Sequence, residues 1–424
     1  MNTKQLRQKI LDLAIRGKLE DCDTDKWQSV KISDAFIINP RNSLDDELFV
    51  SFVSMPLIDS GYTNRFSFEE RKWEEVKSGF THFQDGDVGI AKITPCLENR
   101  KSVIFRGLTN GVGSGTTELH IFRIKDEDNI TPEYFLWFVK SEAFIKNCVA
   151  SFTGSVGQKR VGKNAVADMI IPLPPLAEQR RIVAAIESAF AVIDEIERNK
   201  AELQAAVTAA KRKILSLAIQ GKLVPQDPND KPIPPSLDFV TVSNSTLPES
   251  WAWSRVDKVC EKQETKYPSG VMFRYIDIDS IDNKRHCVTE PKEVETEYAP
   301  SRAAKGVRYG DTLFSMVRPY LENIAFVTED LNDCIASTGF YVCRPRQDIV
   351  FPRYLFHFFR SQYAIAGIDS YRRGDNSPAV RKDEIGGFLV PLPPLEEQRR
   401  IVSAIEAAFE QLDRILENLN VVKV

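Results

Sequence analysis

The sequence predicts an α+β protein. Two globular α/β domains are separated by long, antiparallel, coiled-coil-like helices, in a pseudo-two-fold tandem repeat with circular organisation. Three observations predict this. The stretch IPLPPLAEQRRIVAAIESAF (171–190) returns as VPLPPLEEQRRIVSAIEAAF (390–409), identical at 16 of 20 positions with an offset of 219. QKILDLAIRGKL (8–19) returns as RKILSLAIQGKL (212–223), identical at nine of twelve with an offset of 204. The stretches between these joints read as short strands, whereas the joints themselves carry a helical apolar period.

In chain order, residues 1–20 form an amphipathic segment with apolar positions at Leu6, Ile10 and Leu13, closed by Gly17. Residues 21–171 form the first domain. Its runs ELFVSFVSM, DVGIAKI, KSVIFR and ELHIFRI are bounded by turn residues, and one aromatic helix over 132–146 places Phe135, Trp137 and Phe138 in a core. Residues 172–223 form the central helix. Pro174 and Pro175 open it, Glu178 suits its positive end and Gly221 closes it. Its seam runs through Val183, Ile186, Phe190 and Ile193 and onward to Leu217, with Lys200 as the polar exception. Residues 224–390, with a linker over 224–235, form the second domain. There GDVGIAKITPCLEN (86–99) returns as GDTLFSMVRPYLEN (310–323), and PEYFLWFVKS (132–141) as PRYLFHFFRS (352–361), which predicts a second aromatic helix over 352–366. Residues 391–424 form a C-terminal helix with the seam Val402, Ile405, Phe409 and Leu412, pairing with the central helix.

The offsets close the pattern. Residue 205 plus 219 is 424, and 205 minus 204 is 1, so both chain ends map onto one point of the central helix. The unit–helix–unit–helix order is that of a ring opened within one helix. Isolated helices of about 20 residues are marginal in water, so the terminal halves are expected to pack against the central helix.

Composition narrows the function. A chain of 424 residues exceeds a single core. A formal charge of -4 argues against a protein coated in nucleic acid but leaves room for local basic patches. Four histidines stand singly at 82, 120, 286 and 357, and seven cysteines form no CxxC pair. No metal site is expected, and a reducing cytoplasm is the expected compartment. No apolar run reaches the roughly 20 residues of a membrane span, and the N-terminal stretch does not resemble a signal peptide. GQKRVGKN (157–164) has Asn164 where a P-loop needs a hydroxyl, and GVGSG (111–115) lacks the following helix of a dinucleotide site. No NPPY tetrad and no nucleophile–base pair is present, so no catalytic residue is assigned.

The candidate binding residues are cationic. SFTGSVGQKRVGK (151–163) carries Lys159, Arg160 and Lys163, and its counterpart SYRRGDNSPAVRK (370–382) carries Arg372, Arg373, Arg381 and Lys382. Cations in Gly/Ser loops suit phosphate contact. Arg318 and Tyr320 flank Pro319, where the first domain has Thr94 and Cys96. A guanidinium can read guanine in the major groove, and a change between copies is what two different targets demand.

Taken with these repeats, the joint PLPPLxEQRRIVxxIExxF resembles that of the specificity subunit of a type I restriction–modification enzyme, over essentially the whole chain. The resemblance implies two target-recognition domains, each reading one half of a bipartite double-stranded DNA sequence. It also implies spacer helices that set the gap and dock two methyltransferase subunits, with two restriction/translocase subunits in the full complex. It implies no catalysis and no cofactor in this chain, since S-adenosylmethionine, ATP and Mg belong to the partners. The competing reading is a duplicated coiled-coil scaffold with no nucleic-acid role.

Overall fold

The computed structural model describes residues 2–19, 22–155, 158–234, 239–243 and 246–421. Val422, Met1 and Val424, which matter to the ring pattern, lie outside these, as do Val156 and Gly157 of the first basic loop. The chain divides into two compact units, with the boundary between Lys200 and Ala201.

In unit 1, helix α1 (Thr3–Ile15) precedes β1 (Gln28–Lys31), β2 (Phe36–Ile38), β3 (Phe49–Val53), β4 (Glu69–Lys72), β5 (Thr81–Gln84), β6 (Val88–Ala91), β7 (Ser102–Ile104), β8 (Val112–Gly115) and β9 (Leu119–Ile124). Helices α2 (Pro132–Lys140) and α3 (Glu142–Ala150), strand β10 (Ile170–Leu173) and the long α4 (Leu176–Ile219) come next. One sheet has the order β2-β9-β6-β7 and a second β4-β3-β8-β5, while β1 pairs with β10. Among the described residues of unit 1 only β3 and β8 pair in parallel.

Unit 2 repeats this plan with β11 (Ala252–Arg255), β12 (Met272–Ile276), the hairpin β13 (Ile281–Asp282) and β14 (Cys287–Val288), β15 (Lys292–Glu295), β16 (Ala303–Gly306), β17 (Thr312–Ser315), β18 (Ile324–Phe326), β19 (Ile335–Ser337) and β20 (Phe340–Cys343). Then come α5 (Pro352–Phe359), α6 (Gln362–Asp369), β21 (Leu389–Leu392) and α7 (Leu395–Val421). The sheets β15-β12-β19-β16 and β11-β21 match β4-β3-β8-β5 and β1-β10 of unit 1, with β12 and β19 as the parallel pair. The sheet β18-β17-β20 matches β7-β6-β9 and, among the described residues, has only the bridge between Cys260 and Pro345 where unit 1 has β2. A buried ion pair repeats as well. Arg123 holds Asp87 at 2.8 and 2.9 Å, and Arg344 holds Asp311 at 2.8 and 3.0 Å.

The repeated proline knot has a physical reason. Proline offers no N–H, so the local carbonyls need partners from side chains. Tyr134 donates its hydroxyl to the carbonyl of Pro172 (2.6 Å), and Tyr354 does the same for Pro391 (2.7 Å). The amide of Gln179 donates to the carbonyls of Asn129 (2.8 Å) and Pro174 (2.9 Å) and accepts from the Thr131 amide (3.0 Å). Gln398 repeats all three bonds, to Ile349 (2.9 Å), Pro393 (2.9 Å) and the Phe351 amide (2.7 Å). The EQ of each joint thus staples a domain loop to the first turn of its helix.

Within unit 1, α1 packs antiparallel on the first half of α4. Arg7 pairs with Asp194 and Glu197, and its guanidinium lies 5.8 Å from the Phe190 ring centroid. Within unit 2, the second half of α4 meets α7 the same way. Lys211 pairs with Asp413 and lies 5.1 Å from the Phe409 ring. Lys211 is Arg7 shifted by 204, and Phe409 and Asp413 are Phe190 and Asp194 shifted by 219, so both offsets reappear in a single contact.

Three features depart from the sequence expectation. Each single aromatic helix is broken into two, because Ser141 and Ser361 act as N-caps for α3 and α6. On α1, Leu6, Ile10 and Leu13 are only half-buried, and the buried residues are Leu11, Ala14 and Ile15. This helix packs on α2 and α3 as well as α4, as the bond from the Glu142 amide to Asp12 (3.2 Å) records, so its apolar face is wider than a two-helix seam. On the long helices Val183, Ile186, Phe190, Ile193, Val402, Ile405 and Phe409 are buried and Leu412 is half-buried, but Ile196, Leu203 and Ile415 are exposed.

Candidate nucleic-acid interface

In unit 2 the fold joins two segments that lie far apart in sequence. The Arg318 amide donates to the carbonyl of Pro378 (2.8 Å), its guanidinium to that of Asn376 (3.0 Å), and Val317 bridges Ala379. Arg318 and Glu322 both sit in the left-handed backbone region, at φ 48° and 56°, which is strained for residues with side chains. The loop they frame presents Tyr320, about 44% exposed, with the Arg372 guanidinium 5.1 Å from its ring centroid. Arg318, Tyr320 and Arg372 therefore form one ledge. Arg372 also meets Asp369 (3.3 Å), and Arg373 is engaged by Glu384 (2.8 Å). Arg381 and Lys382 are exposed beside it.

Unit 1 has the same framework with different chemistry. The Thr94 amide donates to the carbonyl of Lys159 (3.0 Å), and Ile93 bridges Arg160. Arg160 holds Glu118 through two 2.9 Å bonds, and this clamp keeps the Glu118 carboxyl below its ordinary range. Lys159 and Lys163 are exposed, and no carboxylate among the described residues bonds either of them. A cation–aromatic ledge thus occurs in one unit and an arginine–carboxylate clamp in the other, on one backbone plan.

The histidines serve the fold. His82 accepts from the Asn42 amide (3.1 Å) and faces the Lys77 carbonyl (2.9 Å), and burial lowers its basicity. Burial brings His357 down to about 4 and His286 to about 3. Among the described residues no group of three or more His, Cys, Asp or Glu is placed to hold a metal ion. Sequence reading missed Arg41, Lys92 and Lys305, single cations near strands, which the fold brings to corresponding places in the two units.

Residues 24–205 and 248–422 each match the type I restriction modification DNA specificity domain. The chain belongs to that family. Family membership disfavours the scaffold without a nucleic-acid role and makes the two units target-recognition domains. The specificity subunit of the Escherichia coli type I restriction enzyme EcoAI is 30% identical, over 92% of this chain and 79% of that protein. The EcoEI specificity subunit, also from Escherichia coli, is 28% identical over 93% and 79%. Among solved structures, a chain described under the assembly and conformational transition of the type I R-M system matches with a TM-score of 0.68 at 23% identity, covering 93% of both chains. The HsdS subunit from Thermoanaerobacter tengcongensis matches at 0.58 and 23%, covering 94% of this chain and 92% of that one. These two share the fold of this family member.

Proposed function

We propose that this chain is the DNA-specificity subunit of a type I restriction–modification complex, each recognition domain reading one half of a bipartite target. The observation that carries this is the specificity-domain match falling twice, on two units of corresponding strand order whose exposed loops differ in chemistry. The spacer helices set the gap between half-sites and dock two methyltransferase subunits. The exposed apolar side chains Val192, Ile196, Leu203 and Ile415 on α4 and α7 suit a partner helix. The chain performs no chemistry of its own and works in the cytoplasm. S-adenosylmethionine, ATP and Mg act on the methyltransferase and on two restriction/translocase subunits.

The formal charge of -4 bears on affinity. Phosphate contact dominates DNA affinity, so partner subunits must supply much of it. The lone chain binds DNA weakly, and the complex strongly and salt-sensitively. The deciding experiment replaces residues 236–388 with the equivalent segment of a divergent relative and maps methylated sites across a genome. One half of the motif changes and the other stays. A motif unchanged in both halves overturns the reading.

A further inference from the structure

A cavity of about 290 Å³ opens in unit 1 where β5 meets the ends of β2, β6 and β9. It has the volume of roughly ten waters at about 30 Å³ each. Arg41 and Lys92 line it with Asn39, Thr81, His82 and Thr117, and no carboxylate is among its lining residues. Arg41 Nη1 donates to the Phe80 carbonyl (2.9 Å) and lies 3.3 Å from His82 Nε2, which leaves the Nη2 and Nε donors of its fork unspent. His82 faces the cavity in its neutral form, because burial and Arg41 lower its basicity. Among the described residues no carboxylate bonds Lys92, and Glu118, whose charge it feels, is already held by both arms of the Arg160 clamp. Two cations with no bonded carboxylate among the described residues thus line a space rimmed with amide and hydroxyl groups, an arrangement completed by an oxyanion.

Unit 2 carries charge at the corresponding place by other residues. By strand pairing Lys305 stands where the cavity-lining Thr81 stands in unit 1, since Lys305 pairs with Ala336 on β19 as Thr81 pairs with Gly115 on β8, and Ala336 and Gly115 are the parallel partners of Ile276 and Val53. Its ammonium donates to Gln263 (3.0 Å), the counterpart of Asn39, and lies against Lys382, the counterpart of Lys163. Meanwhile the counterparts of Arg41 and Lys92 are the uncharged Thr265 and Met316. Charge is kept at the place while its bearers change. We propose that this cleft seats a phosphodiester of the DNA backbone, held by Arg41 and Lys92 in the first recognition domain and by Lys305 and Lys382 in the second. The inference rests on the specificity-subunit reading. It separates backbone-holding residues from the Arg318–Tyr320–Arg372 ledge left to read bases.

The test uses the complex reconstituted with its methyltransferase subunits, carrying Lys92→Gln or Lys92→Arg. Affinity for a duplex is measured across a salt series. One lost phosphate contact lowers the slope of log affinity against log salt by about 0.9, so between 50 and 200 mM salt the Lys92→Gln complex loses about 3.5-fold less affinity than wild type. Lys92→Arg keeps the wild-type slope, which separates lost charge from misfolding. Cognate and mismatched duplexes weaken alike, and the methylated motif is unchanged. A duplex carrying a single methylphosphonate, moved step by step, weakens wild type at one position and leaves Lys92→Gln unaffected there. An unchanged slope, a motif altered in one half, or inorganic phosphate binding with no effect on the DNA slope each overturn the inference. A wild-type complex that neither binds nor methylates DNA overturns the parent reading instead, before any variant is made.

Discussion

Lys140 and Arg100 hold each other's backbone. The Lys140 ammonium donates to the carbonyls of Arg100 (2.8 Å) and Gly61 (2.9 Å), while Arg100 donates to the Lys140 carbonyl (2.9 Å) and pairs with Glu142. Lys140 is fully buried, and burial with the neighbouring guanidinium brings it down to about 7. An unfolded lysine titrates near 10.4. Between those values the unfolded chain binds more protons, so stability rises with pH from about 7 to about 10 and is flat below 7. Wild type should therefore gain on Lys140→Met across that window, by up to about 1.4 kcal/mol per pH unit. Urea unfolding at pH 7, 8 and 9 reads this, and parallel curves for the two proteins would refute it. Nothing in the sequence marks this lysine, because a cation ending an aromatic helix reads as a solvated cap. The exposure of the loop cations Lys159, Lys163 and Arg372 was legible, since cations among glycines and serines leave few buried roles. The spending of Arg160 on Glu118 was not, because that partner lies 42 residues away.

Helix ends show which elements sequence can and cannot place. Gly17 and Gly221 close α1 and α4 at φ 65° and 68°, and the amides of Lys18 and Lys222 reach back to Leu13 (2.8 Å) and Leu217 (2.9 Å). A Cβ on Gly221 would stand 2.4 Å from Pro248, and one on Gly17 2.6 Å from Thr24. Gly221→Ala therefore carries both backbone strain and a clash. Gly107, at φ 71° with nothing within 4 Å of its Cβ position, isolates the strain alone. Gly107→Ala should cost about 1 kcal/mol, and Gly221→Ala at least about 1 kcal/mol more, as read by chemical denaturation. Equal losses would show that the crowding is relieved by local movement. Glycine and proline punctuation made these ends readable beforehand. The breaks at Ser141 and Ser361 were hidden, because the apolar period runs straight through them. The turn of the α1 face was hidden too, because a periodic pattern reports which residues are apolar and not how many helices they meet.

For the molecule as a whole, the repeat was the most legible feature, since two offsets read from sequence recur in the Arg7 and Lys211 contacts. Strand order within each domain was not legible, because pairing such as β3 with β8 depends on partners about 60 residues apart. The same repeat explains why α4 should act as a ruler. It runs unbroken for 44 residues, with its exposed apolar positions Ile196 and Leu203 near its middle. Excising four residues there removes about 6 Å but turns the remainder of the helix by about 40°, whereas excising seven removes about 10.5 Å and turns it by only about 20°. At about 3.4 Å per base pair, the seven-residue deletion should shorten the unspecified gap in the methylated motif by about three base pairs while keeping both half-sites. The four-residue deletion should shift it by one or two, with weaker methylation because of the greater rotation. Single-molecule methylation mapping of cells carrying each variant reads gap and half-sites together. Methylation at the wild-type gap in either variant would mean that the spacing is set by the partner subunits and not by this helix.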